Sequence, residues 1–515
     1  MKKYIFLIFI LLFSTTTKIL AINLAPNSLF SENAVFQRNV QIPIWGIGES
    51  GEKIVVEFNG QKIETVATNG KWLVVLKPMS EKRIPQNLII SGKDSTITIK
   101  NILIGEVWIC SGQSNMERKL GWKQGDKTIL NANEDIIDAQ NFPQIRQFNV
   151  PKNPSGTKVD DVKSKWVECN SNSVKNFTAV GFYFARSIAI NQHVPIGIIH
   201  SSVGGTQAEK WTDRTVFESN PALKSLIESY DKYVRNYPLQ LEKYNLTKDS
   251  LLTKWQNDSA MAVSNQNVIP IKPTAPVNPY YSGTCGGLFN GMIAPLIPYA
   301  IKGVVWYQGE SNSSSAKRYQ TLFPAMIADW RRQWGIGDFP FLFVQVAPYR
   351  TVSPEIRESQ LLSWKNTTNT AMVVTVDCGD STDIHPINKR PVGERLALAA
   401  RALAYKQNIV YSGPVYKSMK ISRNKIELRF DFAGSGLLSK CGSLKGFVIA
   451  GEDKMFIPAK AIIKGKKIIV SSQKISKPEA VRMGWANSPD TNLFNKEELP
   501  ASPFRTDNWE TTNDK

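Results

Sequence analysis

The sequence predicts an α/β core: a parallel sheet with helices on both faces, preceded by a β-sandwich and followed by a β-rich region. Two observations carry this. Five near-continuous apolar runs, EVWICSG, PIGIIHSS, IKGVVWYQG, FPFLFVQVAP and AMVVTVDCG, fall between residues 104 and 405, and strands buried on both faces read this way. Segments of helical period accompany them, FTAVGFYFARSIAINQ, QTLFPAMIADWRRQWG and PVGERLALAARALAYKQ, and alternating strands and helices build a parallel sheet.

In chain order, Lys2 and Lys3 precede an apolar run from Tyr4 to Phe13 and a polar stretch ending at Ala21. This is the pattern of a cleavable secretory signal over residues 1–21. The apolar run is short for an uncleaved anchor, so the mature protein is expected to be exported, secreted or periplasmic, without stable membrane insertion. Residues 22–103 alternate in short runs (VQIPIWGIG, KIVVEFNG, KWLVVLKPM, STITIKNILIG) broken by Asn-Gly and similar turns. That spacing predicts a small, immunoglobulin-like β-sandwich. Residues 104–411 hold the α/β domain, interrupted at about 215–283 by an amphipathic helical stretch and a loop rich in Pro, Asn and Tyr. Alternation returns over 412–515, a β-rich region expected to pack on the catalytic layer.

The bulk numbers exclude several function classes. The chain has 515 residues, 42% hydrophobic and 21% charged, which is ordinary for a globular protein of about three domains. Five cysteines are few for an exported chain and form no framework, leaving one or two bridges open. No cysteine pair has zinc-site spacing and only three histidines are present, so no metal is expected. The net charge is +19. Its basic residues are scattered, without the aromatic-interleaved basic stretch of a nucleic-acid groove. The charge suits either plain solubility or attraction of anionic substrates.

Chemistry concentrates in the loops after the apolar runs, where open α/β sheets bind ligands. The segment GEVWICSGQSNME, residues 105–117, runs a strand into a Gly-Gln-Ser-Asn turn and sets the Ser114 hydroxyl on the sheet rim. A serine nucleophile needs a base, an acid to orient that base, and donors for the oxyanion. Taken alone, the turn reads more readily as a helix cap; the other loops reverse that balance. His193 ends a helix, and His200 ends the second run, facing either the crevice or the interior. His385, in DCGDSTDIHP after the last run, is therefore the candidate base. Asp383 lies two residues before it, on the same side of an extended segment. Asp380 is the reserve acid and Asp377 lies nearer the strand end. Gly204 and Gly205 can bring backbone N–H groups to a ligand. WYQGESN gathers Gln308, Glu310 and Asn312, of which Gln308 and Asn312 are candidate amide donors.

The order GQSNM, GGT…W, WYQGESN, DIHP resembles the sialate O-acetylesterase family, within the SGNH (GDSL-like) hydrolases. The similarity extends from SENAVFQRNVQIPIWG near the start to GWANSPDTNLFNKEELPASPFRTDNW near the end. The resemblance implies a flavodoxin-like, SGNH-type core that deacetylates O-acetylated carbohydrate without a cofactor. It implies Ser114 as nucleophile and His385 as base. The superfamily places aspartate three residues before the histidine, where this chain has Thr382. That leaves Asp383, another acid or a Ser-His dyad. The superfamily's Gly-x-Asn-Asp block reads Gly309-Glu310-Ser311-Asn312, so Gln308 or Asn312 is the amide donor. The expected substrate is 9-O-acetylated sialic acid. An acetylated xylan, or a non-catalytic carbohydrate-binding role, is the alternative.

Overall fold

A computed structural model of the chain describes residues 23–279 and 285–511. The expected leader, 1–21, lies outside them, as do positions 280–283 of the loop insertion. All five apolar runs become parallel strands of one sheet: Thr96–Gly112, Ile196–Ser202, Gly303–Tyr307, Phe341–Val344 and Thr370–Val373. Numbered along the chain they lie side by side as 2-1-3-4-5. In this doubly wound order the ligand crevice opens at the switch point, between the first and third strands. A sixth parallel strand, Ile145–Asn149, extends the sheet beyond Ile196–Ser202, and Trp166–Glu168 closes that edge antiparallel.

Helices cover both faces, because successive side chains of a strand point to opposite sides. Val107, Ile109, Val304, Trp306, Phe341 and Phe343 share a core with Phe323 and Trp330 of the helix Ala316–Trp334 and Ile356 of Pro354–Asn366. Trp108, Cys110, Val305, Tyr307 and Leu342 pack with Phe182 and Ile188 of Ala179–Gln192 and Leu396 of Arg390–Leu403. Each such large apolar side chain, fully buried, contributes about 2–3 kcal/mol.

The N-terminal strands form two sheets. Ile42–Ile47 pairs with Lys71–Leu76, and Lys53–Phe58 with Gln61–Val66 and Lys82–Ser91. Their inward residues, Ile44, Trp72 and Val74 against Ile54, Val56 and Ile90, belong to the same apolar cluster that fills one face of the central sheet. The strand Thr96–Gly112 is common to both regions. Its first half pairs antiparallel with Lys82–Ser91 and its second half parallel with Ile196–Ser202. Residues 103 and 104 are thus adjacent members of one unbroken strand.

The helical stretch of the insertion forms a 41-residue helix, Lys224–Ser264, with only Ile227 and Ala262 buried. The chain returns along it, and Trp255 Nε1 donates to the Pro270 carbonyl at 2.8 Å. The C-terminal region adds two four-stranded sheets around Ile426, Leu428, Ile449 and Met483. It contacts the central layer through polar bonds, Gln345 Nε2 to Ser502 Oγ at 3.0 Å and Arg505 Nε to Glu358 Oε1 at 2.8 Å. All five cysteines are free thiols, so the bridges left open by their count are not formed. Among the described residues no helix is long and apolar enough to cross a membrane.

Candidate active site

The first strand ends at Gly112, at φ +131, where a Cβ would lie 2.2 Å from the Tyr307 carbonyl oxygen. Only glycine fits so close an approach to the third strand. Gln113 then staples the turn across the switch point. Its N–H donates to the Tyr307 carbonyl at 2.9 Å, and its buried Oε1 accepts from the Gly309 and Ser311 amides at 3.4 and 3.3 Å. Ser114 opens a single helical turn, Ser114–Glu117, and stays partly exposed between buried neighbours.

His385 meets it there. Its Nε2 lies 2.8 Å from Ser114 Oγ, across 271 residues of sequence, the spacing a nucleophile and its base require. Burial, then the charges of Arg118 and Lys389, pull the His385 pKa down to about 4, against the opposing pull of Asp383. The imidazole is therefore neutral at ordinary pH and free to accept the serine proton. Asp383 Oδ1 sits 3.7 Å from His385 Nδ1, within ion-pair range and beyond a hydrogen bond. The same oxygen accepts the His385 backbone N–H at 2.9 Å, and Oδ2 accepts from Lys127 Nζ at 3.0 Å. Against the cost of burial, those two donors hold the Asp383 carboxyl below its usual range. Asp380 is turned to its own loop, accepting from Thr382 and the Asp383 amide. Asp377 is held by a two-point pair with Arg395, at 2.7 and 2.6 Å.

Beneath Ser114 lies a polar anchor whose members the motifs held but did not join. Asn115 Nδ2 donates to Glu310 Oε1 at 2.6 Å and to the Ile384 carbonyl at 3.1 Å, while its Oδ1 accepts from Lys389 Nζ. Asn115, Glu310 and Lys389 are all buried. Burial pushes the Glu310 carboxyl up, and it pushes the Lys389 ammonium down to about 7, opposed by Glu310. One asparagine thus links the loops after the first, third and fifth strands. The sequence placed Glu310 in WYQGESN and Asn115 beside Ser114, with Lys389 four residues after His385, but gave no sign that the three meet.

The expected donors fare unequally. Gly204 lies against Ser114, since a Cβ on it would come within 3.3 Å of Ser114 Cβ. Its N–H, however, already donates to Glu117 Oε2 at 2.6 Å. Gly205 adopts φ +71 with open space where a Cβ would stand. Gln308 spends both Nε2 hydrogens, on the Thr206 carbonyl at 3.1 Å and Asn312 Oδ1 at 2.7 Å. Neither hydrogen is left for an oxyanion, which corrects the reading of Gln308 as donor. Its orientation is fixed because Asn312 Oδ1 also accepts the Ala208 N–H, at 3.0 Å. Asn312 Nδ2 donates to Glu209 Oε2 at 2.8 Å and keeps a second hydrogen. His200 is internal, bonded to Asn149 Oδ1 at 3.0 Å and Ser202 Oγ at 2.6 Å, and burial lowers its pKa to about 4. His193 caps a helix in the left-handed region, at φ +54.

Known proteins share this arrangement of chain. The family profile described as carbohydrate esterase, sialic acid-specific acetylesterase, matches residues 104–249 and 288–402. The chain belongs to that family. It is accordingly a carboxylic-ester hydrolase that removes O-acetyl groups from carbohydrate. Among relatives of this acetylesterase, the rat sialate O-acetylesterase is 30% identical over 431 residues, 74% of each chain. The human enzyme of that name is 28% identical over 424 residues, 74% of this chain and 71% of its own. A solved carbohydrate acetylesterase from Xanthomonas citri is similar with a TM-score of 0.77 and 34% identity, over 94% of this chain and all of that one. The family match ends at both edges of the α/β layer and leaves 250–287, with the end of the long helix, unmatched. It spans all four loops that carry the acetylesterase's candidate residues.

Proposed function

We propose that this acetylesterase is an exported serine esterase that removes the 9-O-acetyl group of sialic acid through an acetyl-enzyme on Ser114. The observation that carries the mechanism is the 2.8 Å contact between Ser114 Oγ and His385 Nε2. Neutral His385 takes the Ser114 proton as Oγ attacks the acetyl carbonyl, forming a tetrahedral oxyanion. The imidazolium then returns that proton to the departing sugar oxygen, leaving an acetyl ester on Ser114. Water, deprotonated by the same imidazole, attacks this ester, and acetate leaves as Ser114 regains its proton. Asp383 favours the imidazolium through space. The Gly205 N–H and the remaining Asn312 hydrogen are the donors for the oxyanion, and each such donor is worth about 10²–10³ in rate. SGNH-type order supports the same site, since the crevice of a 2-1-3-4-5 sheet lies between the strands that end at Gly112 and Tyr307. Export rests on residues 1–21.

Sialate is supported by the family's specificity and by the names of the mammalian relatives. A neutral acetylated polysaccharide is the second reading, favoured by the similarity to the Xanthomonas carbohydrate acetylesterase. Comparing kcat/KM on 9-O-acetylated sialic acid and on acetylated xylo-oligosaccharides, at matched acetyl concentration, separates them. Preference for the sialate is expected. Preference for the xylan substrate overturns the sialate reading and leaves the serine mechanism standing. That mechanism has its own check: a fluorophosphonate should label the wild type once, at Ser114, and a wild type that resists labelling there argues against it.

A further inference from the structure

An acetylated sugar acid brings a carboxylate as well as an ester, and we propose that Arg118, stacked on Trp122, binds that carboxylate. The proposal rests on the sialate reading above. Arg118 starts one helical turn beyond the nucleophile, its N–H donating to the Ser114 carbonyl at 2.9 Å. Its guanidinium carbon lies 3.7 Å from the centre of the Trp122 ring. The chain after Trp122 folds over the loop of the base: Lys127 reaches Asp383 at 3.0 Å, and the Leu130 N–H donates to the Ile387 carbonyl at 3.1 Å. Arg118 and Trp122 therefore border the crevice on the His385 side. The Arg118 charge acts on His385 more strongly than that of buried Lys389.

Four lysines near the two residues are already engaged. Lys389 is bonded to Asn115, Lys127 to Asp383, Lys152 to Glu117, and Lys119 to Asn176 Oδ1 at 3.3 Å. Among the described residues, the Arg118 guanidinium makes no hydrogen bond or ion pair. It is nonetheless half-buried, and burial works against its charge. A desolvated guanidinium without an anion is a cost that a ligand would offset. Stacking uses only the flat face of the group and leaves the N–H edge free. That edge is a fork matched to the two oxygens of a carboxylate. Trp122, partly exposed, holds the fork in one plane. The ligand class is thus a sugar acid whose carboxylate and ester are presented together.

The test uses the full chain, wild type, Arg118→Gln and Arg118→Lys, on 9-O-acetylated sialic acid and on its carboxyl methyl ester. The wild type should prefer the acid. Arg118→Gln should raise KM for the acid by about tenfold to a hundredfold, the worth of a charge-assisted pair, and bring the acid-to-ester ratio of kcat/KM close to one. Arg118→Lys should recover part of the ratio, since it keeps the charge and loses the fork. A wild type that prefers the acid, with a ratio that survives in Arg118→Gln, overturns the assignment of Arg118 and leaves the sialate reading intact. A wild type inactive on both compounds overturns both. Because the experiment reads a ratio, a variant that is merely less stable does not imitate the expected result.

Discussion

The two halves of the Ser114–His385 pair are held by different physics. Ser114 stands on a buried floor, in which Gln113 and Asn115 hydrogen-bond across three strand ends. His385 sits on a polar loop whose bonds are mostly local, Asp380 to Thr382 and Asp383 to the His385 N–H, with side chains about a quarter exposed at Asp383 and His385. Buried polar networks gain strength from the low local dielectric and cost heavily when one member is lost. Exposed loop pairs gain little and lose little. Ser114 is thus fixed by the core and His385 by its neighbours, so damage to the two sides should be unequal.

The sharpest break comes at the contact itself. Ser114→Ala and His385→Ala should each lower acetate release from p-nitrophenyl acetate by about 10⁴-fold, with circular dichroism unchanged. Near-wild-type rates in either folded variant would remove the pair from the mechanism. Protonation breaks the contact reversibly. In the proposed mechanism the neutral imidazole is the active form, and burial brings its pKa down to about 4, so kcat/KM should hold on the acid side of neutrality and fall as the pH passes through about 4. A fall centred at the ordinary histidine value would contradict the environment described.

Next in size is the floor. Asn115→Ala leaves the Glu310 carboxylate and the Lys389 ammonium buried without their shared partner. Loss of about 2–3 kcal/mol is expected in urea unfolding, because buried polar groups left without their hydrogen bonds are expensive. The rate should fall about 10²-fold, since the loops of nucleophile and base lose their link. A stability change under 1 kcal/mol would mean that water replaces the amide at no cost. Smallest is the loop acid. Asp383→Asn should slow turnover only about three- to tenfold, as a partly exposed pair is worth about 1 kcal/mol. Asp380→Asn should do less. If Asp383→Asn instead costs 10³-fold, the 3.7 Å gap closes when substrate binds and the loop is a full partner in catalysis.

The five apolar runs were legible because strands covered on both faces carry little but apolar side chains. The sixth, Ile145–Asn149, was not. It buries Arg146 and Gln147, whose side chains bond to the Asn101 carbonyl and the Thr178 amide. A strand that satisfies polar groups internally has no apolar signature. The same reason hid the Asn115 anchor, whose partners lie 195 and 274 residues away. Ser114 and His385 were legible because their residue types are scarce in strand-end loops and chemically demanding. Gln308 misled, because composition reveals that an amide is present and not whether its hydrogens are spent. Arg118 was one of many basic residues until its stack on Trp122 beside the loop of His385 set it apart.

The unbroken strand Thr96–Gly112 carries a further implication, for engineering. The accessory sandwich is not a cassette clipped onto an autonomous catalyst, because the backbone segment that finishes one is the segment that delivers Ser114 to the other. Residues of the sandwich and of the central layer fill one apolar cluster, and the Tyr299 hydroxyl donates to the Val35 carbonyl at 2.8 Å. Cutting the chain at 103 would strip Val35–Gln37 from its pairing along Leu103–Gly105 and leave a raw hydrophobic wall. A fragment starting at 104 should be recovered as aggregate, whereas the two regions together should melt in one step. Ser114 is, in effect, mounted on a girder whose far end is embedded in the neighbouring building.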